Sequence, residues 1–102
     1  LRAPLLVVLV AHLGAHPKVP EIEQLHSLAC AAGYMLLAAH AEGFGAIWRT
    51  GEISYTAELR AELGLAENER VLGFLYLGTP EGPPKPPEEL PLEAHFRPWP
   101  QA

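Results

Sequence analysis

The run Gly43-Phe44-Gly45-Ala46-Ile47-Trp48-Arg49-Thr50-Gly51 is the one stretch of this 102-residue chain where a strong structural signal and a chemically equipped site coincide. An indole, a guanidinium and a hydroxyl follow one another there, closed by glycines. Taken by themselves, these residues also have structural readings. Trp48 reads as a core aromatic ending a strand, Arg49 as a surface charge paired with Glu52, and Gly43 and Gly45 as a helix cap and a tight turn. The histidines make a poorer case. His12 and His16 stand four apart and could be joined by His26 or His40, but four-residue spacing brings ligands together only on a helix, and Gly14 and Pro17 argue against one. Solvated loop histidines and no metal site are the expectation. Cys30, among apolar residues, is expected to be a buried structural thiol, since nothing nearby would hold it as thiolate.

The element that must position the central run is a long helix ahead of it. Ile22, Leu25, Leu28, Ala29, Ala32, Met35, Leu36 and Ala39 recur at three- and four-residue steps, which predicts one apolar stripe. Pro20 suits a first-turn position, Glu21 and Glu23 lie near the positive end of the helix dipole, and Gly43 can close the helix near Glu42. From Leu28 onward Cys30, Ala31, Gly33, Tyr34, Leu37, Ala38 and Ala41 make the opposite face apolar as well. A helix apolar all round must be buried all round, and so small a chain seldom does this alone. The small residues Ala29, Ala32 and Gly33 would admit a second helix. A partner is therefore expected; the alternative is a helix threaded through its own small domain.

Around that helix, Pro4 to Ala11 has no polar alternation and is rich in β-branched residues, as in an interior strand. A loop from His12 to Val19 leads into the helix. Phe44 to Trp48 forms a short second strand, Thr56 caps a short helix from Ala57 to Leu63 that stops at Gly64, and Val71 to Gly78 is a further interior strand. Gly73 would weaken that strand unless another element packs closely on it. Eight of the eleven prolines fall between Pro80 and Pro100. That composition predicts an extended tail, residues 81–102, and its Phe96, Pro98 and Trp99 anchors predict that it lies across its own or a partner's surface.

One domain or part of one is expected at this length, here residues 1–80. A net charge of −5 with seven Lys and Arg argues against a nucleic-acid surface. Leu5 to Val10 is too short to span a bilayer and lacks a cleavage-like site after it, so neither signal peptide nor membrane anchor is expected. A single cysteine gives no disulfide framework, in keeping with a cytoplasmic setting. The chain opens at Leu1 without Met, within four residues of a core-like strand, as the downstream piece of a longer protein would.

Three ordered blocks resemble the flavin-dependent nitroreductase superfamily, and within it the minimal bacterial YdjA-like type. They are His16-Pro17-Lys18-Val19-Pro20 ahead of Glu23-Gln24, the run Gly43 to Gly51, and Val71-Leu72-Gly73-Phe74-Leu75-Tyr76-Leu77-Gly78-Thr79-Pro80. The resemblance covers residues 1–80 and suits the C-terminal half of such a protein. It implies an α+β nitroreductase-like fold, a homodimer joined by the long helices, and FMN at the subunit interface. The chemistry it implies takes a hydride from NAD(P)H to FMN and then to a nitro compound or quinone, with the flavin carrying the reaction and no side chain assigned as catalytic. Trp48, Arg49 and Thr50 match the family's FMN-contacting loop, with Thr50 where relatives commonly have Ser. Ala38, Ala39, His40, Ala41, Glu42 and Gly43 match a stretch assigned to NAD(P), although a helix end with Gly-x-Gly lacks the strand–turn–helix context of a dinucleotide site. The family's Arg/Ser-rich phosphate motif has no counterpart in these residues. The competing reading is a non-catalytic dimerising or interaction module.

Overall fold

The computed structural model describes residues 3–100. Three strands and two helices follow one another as β1 (Leu5–His12), α1 (Glu21–Ala41), β2 (Gly45–Arg49), α2 (Ala57–Glu62) and β3 (Glu69–Gly78), with short 3-10 turns at Glu52–Tyr55 and Leu92–Ala94. The sheet is antiparallel in the order β1-β3-β2. β3 is thus the central strand, as its unbroken apolar run predicts. β1 was expected to be interior and instead lies at an edge, with Leu5 and Leu6 exposed, because these residues supply no strand to pair beyond it.

α1 lies across one face of the sheet. Its side chains at Leu28, Ala32 and Leu36 follow the four-residue helical step and meet Val7, Leu9, Leu75 and Leu77. Ala32 and Leu75 are both 0% exposed, so the helix reaches its closest approach where its side chain is a single methyl. At its end the Gly43 N–H donates to the His40 carbonyl at 3.0 Å and the Phe44 N–H to the Ala39 carbonyl at 2.9 Å. With Gly43 at φ +87°, these two bonds make a Schellman stop, as the glycine predicts. α2 ends the same way at Gly64, and the Thr56 hydroxyl accepts from the Leu59 N–H at 3.2 Å to start it.

Two expectations for α1 are corrected. Ala32 is not a contact for a second helix; it is taken up by the chain's own sheet. Nor is the helix buried all round: Cys30, Tyr34, Leu37 and Ala41, on the side away from the sheet, are exposed, Tyr34 by 74% and Leu37 by 67%. The cysteine is therefore an accessible thiol, because a three-stranded sheet covers only one side of a helix. Residues 79–100 are exposed throughout, including Phe96 and, at 88%, Trp99. The radius of gyration of 17.4 Å exceeds the ~13 Å of a compact chain of this size.

β1 and β3 slip by one residue between Leu9 and Val10, where Leu9 faces Gly73 and Val10 faces Val71. Leu72 is the extra residue of this bulge, and Gly73 adopts φ +152°. A side chain at Gly73 would place its Cβ 3.0 Å from the Arg49 carbonyl and closer still to the Trp48 indole nitrogen. The close packing that a glycine within a strand predicts is thus the indole of the neighbouring strand.

Leu75→Ala is expected to lose ~2–5 kcal/mol of stability, as deletion of a fully buried leucine does. Gly73→Ala should cost about 1–3 kcal/mol through backbone strain and the clash with Trp48. Trp48→Phe in that background should recover part of the loss, since the indole nitrogen is the nearest atom to the added methyl. Urea unfolding of the two single variants and the double variant measures the coupling; strict additivity would mean the indole does not lie on Gly73.

Candidate functional site

β2 sets the site through its alternation, which sends successive side chains to opposite faces of the sheet. Trp48 points to the α1 side and packs against the core. Ile47 pairs with Tyr76 and Arg49 with Phe74. Ile47 and Arg49 line a cavity of about 330 Å³ on the other face with Tyr76, Thr79 and Pro80. Trp48 and Arg49, adjacent in sequence, are therefore brought to different surroundings. The core-aromatic reading of Trp48 holds in the folded chain. The pairing of Arg49 with Glu52 does not: among the described residues no carboxylate lies within 4 Å of the Arg49 guanidinium.

Thr50 follows the last residue of β2 and is exposed, as is Gly51. Among the described residues neither of their N–H groups takes part in a hydrogen bond with the protein. The end of β2 thus carries two free backbone donors next to an unpaired cation. Such a group can bind and stabilise negative charge on a ligand laid against it.

The second set of predicted residues lies at the end of α1. Ala38, Ala39 and Glu42 line an apolar cleft of about 440 Å³ with Met35, Phe44 and Leu77, whereas His40, Ala41 and Gly43 are exposed outside it. The carbonyl end of a helix carries partial negative charge, the wrong sign for nucleotide phosphates. What this cleft suits is an uncharged, flat or aliphatic group. It shares Pro4, Gly78 and Thr79 with the Arg49 cavity, so the two open on opposite faces of the same end of the sheet. Met35, Phe44, Tyr76 and Thr79 complete these walls. None of the four carries a ligand-contacting role in the sequence alone.

The histidines are dispersed. The His12 ring lies 3.4 Å from the Asn68 amide nitrogen and 3.6 Å from the Glu69 carboxylate, and the His16 Nδ1 accepts from the Lys18 N–H at 3.1 Å. Among the described residues no three His, Cys, Asp or Glu side chains come together as a metal site would require. Nor is any helix among them long and apolar enough to cross a membrane.

The architecture defines a class first. A nitroreductase-like family protein from Bacillus cereus superimposes with a TM-score of 0.74 at 18% identity, over 90% of this chain and 49% of that one. A structure from Bacteroides thetaiotaomicron, provisionally titled NADH dehydrogenase/NAD(P)H nitroreductase, gives 0.71 at 22% identity over 95% of this chain and 55% of that one. These likenesses show an α+β nitroreductase-like fold. The Nitroreductase family profile matches residues 1–79, and the chain belongs to the nitroreductase family. Among curated relatives, YdjA of Escherichia coli K12, provisionally named an NAD(P)H nitroreductase, is 45% identical over 80 residues, 78% of this chain and 44% of that protein. A Haemophilus influenzae protein of the same provisional name is 37% identical over 79 residues, 76% of this chain and 43% of its own length. The chain thus spans less than half the length of these relatives.

Proposed function

We propose that this chain forms part of the site of an FMN-dependent NAD(P)H oxidoreductase that passes a hydride from NAD(P)H to flavin and then to a nitro compound or quinone. The observation that carries the proposal is the end of β2, where an unpaired Arg49 and the free N–H groups of Thr50 and Gly51 fall within the stretch the family profile matches. These residues fit a flavin ring, which becomes electron-rich on reduction and is favoured by fixed donors and a nearby cation. When bound, the flavin supplies the hydride acceptor and donor.

The residues of the chain then divide the work. Trp48, seated over Gly73, holds β2 against β3 and so fixes the direction in which the next two residues leave the sheet. Arg49 supplies positive charge and Thr50 a backbone donor and a hydroxyl, so that Trp48 acts chiefly by positioning. Ala38, Ala39 and Glu42 would meet an uncharged part of the co-substrate in the apolar cleft. The names of the relatives motivate NAD(P)H as that co-substrate.

A second copy of the chain completes the unit in this proposal. Cys30, Tyr34, Leu37 and Ala41 recur at steps of four, three and four along the exposed side of α1, the spacing of a helix–helix seam. Large exposed apolar side chains at such a spacing favour association, and the tail anchors Phe96 and Trp99 would lie across the partner. The same stripe favours a second reading, a dimerising module without flavin of its own. Titration of the purified chain with FMN separates the two.

In flavin-loaded protein, Arg49→Ala is expected to retain FMN and to lower its midpoint potential. Loss of a charge-assisted interaction of ~1.5–3 kcal/mol corresponds to ~30–60 mV for a two-electron couple. Thr50→Pro should lower both potential and affinity, because proline at that position removes one of the two free N–H groups beyond β2. Identical potentials and reduction rates in all three proteins would refute the assignment of this loop.

Sedimentation velocity at micromolar concentration should show a dimer that Leu37→Glu dissociates, with maleimide labelling of Cys30 slow in the dimer and at least about tenfold faster in the variant. A folded monomer with freely labelled Cys30 would exclude association through α1.

A further inference from the structure

Away from the β2 end of the site, a cavity of about 410 Å³ opens between the Glu52–Tyr55 turn, α2 and the start of β3. Its volume is in the range of small-molecule sites. Leu25, Val71 and Leu72 form its apolar side, and Arg60, Arg70 and Tyr55 bring polar groups to it. Ser54 also lines it. That serine is 2% exposed, and its hydroxyl has no hydrogen-bond partner among the described residues. A buried hydroxyl without a partner is a standing penalty that a native chain rarely tolerates without a reason.

The cations around the cavity are incompletely matched. Arg70 lies 3.7 Å from Glu21, but both side chains are more than half exposed, so the pair is weak and easily exchanged. Among the described residues no carboxylate lies within 4 Å of Arg60. Guanidinium groups offer donors only and stay charged at any physiological pH. Two of them, with a hydroxyl free to donate, select an acceptor of negative charge. The leucine and valine side chains opposite select an apolar body attached to it.

We infer that the cavity lined by Ser54, Arg60 and Arg70 binds a small oxyanion, a carboxylate or phosphate, carrying an apolar or aromatic body. The guanidiniums of Arg60 and Arg70 hold the anionic head, the Ser54 hydroxyl, closed to solvent in the free chain, turns to donate to it, and the body lies on Leu25, Val71 and Leu72. The assignment does not rest on the flavin reading, which uses none of these residues.

The test uses the full chain with two probes, inorganic phosphate and benzoate, by calorimetry and by thermal melting. At least one should bind at millimolar concentration and raise the melting temperature. Tighter phosphate binding identifies a phosphoryl head, and tighter benzoate binding a carboxylate with an apolar body. Arg60→Gln should weaken binding by about tenfold or more, and Arg70→Gln by less because its side chain is more exposed. Ser54→Ala should weaken binding by about fivefold while leaving the free chain as stable as before or more so, since the orphan hydroxyl is gone. This opposition of stability and affinity is not expected of a merely structural serine. If Arg60→Gln does not fold, the exposed Arg70→Gln and the buried Ser54→Ala still decide the matter. Failure of both probes to bind would overturn the inference, and so would binding that the Ser54 and Arg70 substitutions leave unchanged.

Discussion

The closest approach of α1 to the sheet, at Ala32, is the contact on which the rest of the structure depends. A methyl side chain there lets the helix settle until Leu9 and Leu75 close over it, and no larger residue could occupy the point without lifting the helix. Leu28 and Leu36 lie one helical turn to either side, so the same approach seats them against the sheet. Small size is commonly read as provision for a second helix. Here it is consumed within the chain, and the side of α1 left open is the opposite one, with Tyr34 and Leu37.

That division gives α1 two apolar faces with different fates. The inner one belongs to a core of few residues, covered on one side by a three-stranded sheet. The outer one, with Tyr34 and Leu37, remains in water in the isolated chain, as do the edges of β1 and β2 and the aromatic residues of the tail. The chain spans 44% of the length of its E. coli relative, and within its described residues the three-stranded sheet covers one side of α1 and leaves both of its own edges open. The apolar surface is therefore concentrated on definite faces rather than scattered.

At the end of β2, Trp48 and Arg49 show how a strand separates structure from chemistry. The pleat directs the indole inward, where the bulge at Leu72 and the absence of a side chain at Gly73 make room for it. The same pleat directs Arg49 to the other face, with Tyr76 and Thr79. Strand pairing ceases at this point, so the next two N–H groups are left free. Rigidity on one side and unsatisfied donors on the other both follow from where β2 stops pairing with β3.

Local order was legible in the residues themselves. The helical period of Ile22 to Ala39, the stop at Gly43, the Thr56 cap and the apolar run of β3 all depend on neighbours a few positions away, and all stand in the fold. The family was legible too: the three motif blocks pointed to the nitroreductases, and the family profile matches residues 1–79. Which side of an element meets which neighbour was not legible. An all-round apolar helix does not say which of its faces its own sheet will take, so Cys30 was expected inside and lies outside, while Ala32 was expected at a helix contact and lies on the sheet. β1 read as interior because composition records hydrophobicity and not the number of strands available to pair. Likewise, no spacing rule connects Ser54 with Arg60 and Arg70: they lie on three different elements, and only the packing of the Glu52–Tyr55 turn and α2 against β3 brings them around one cavity.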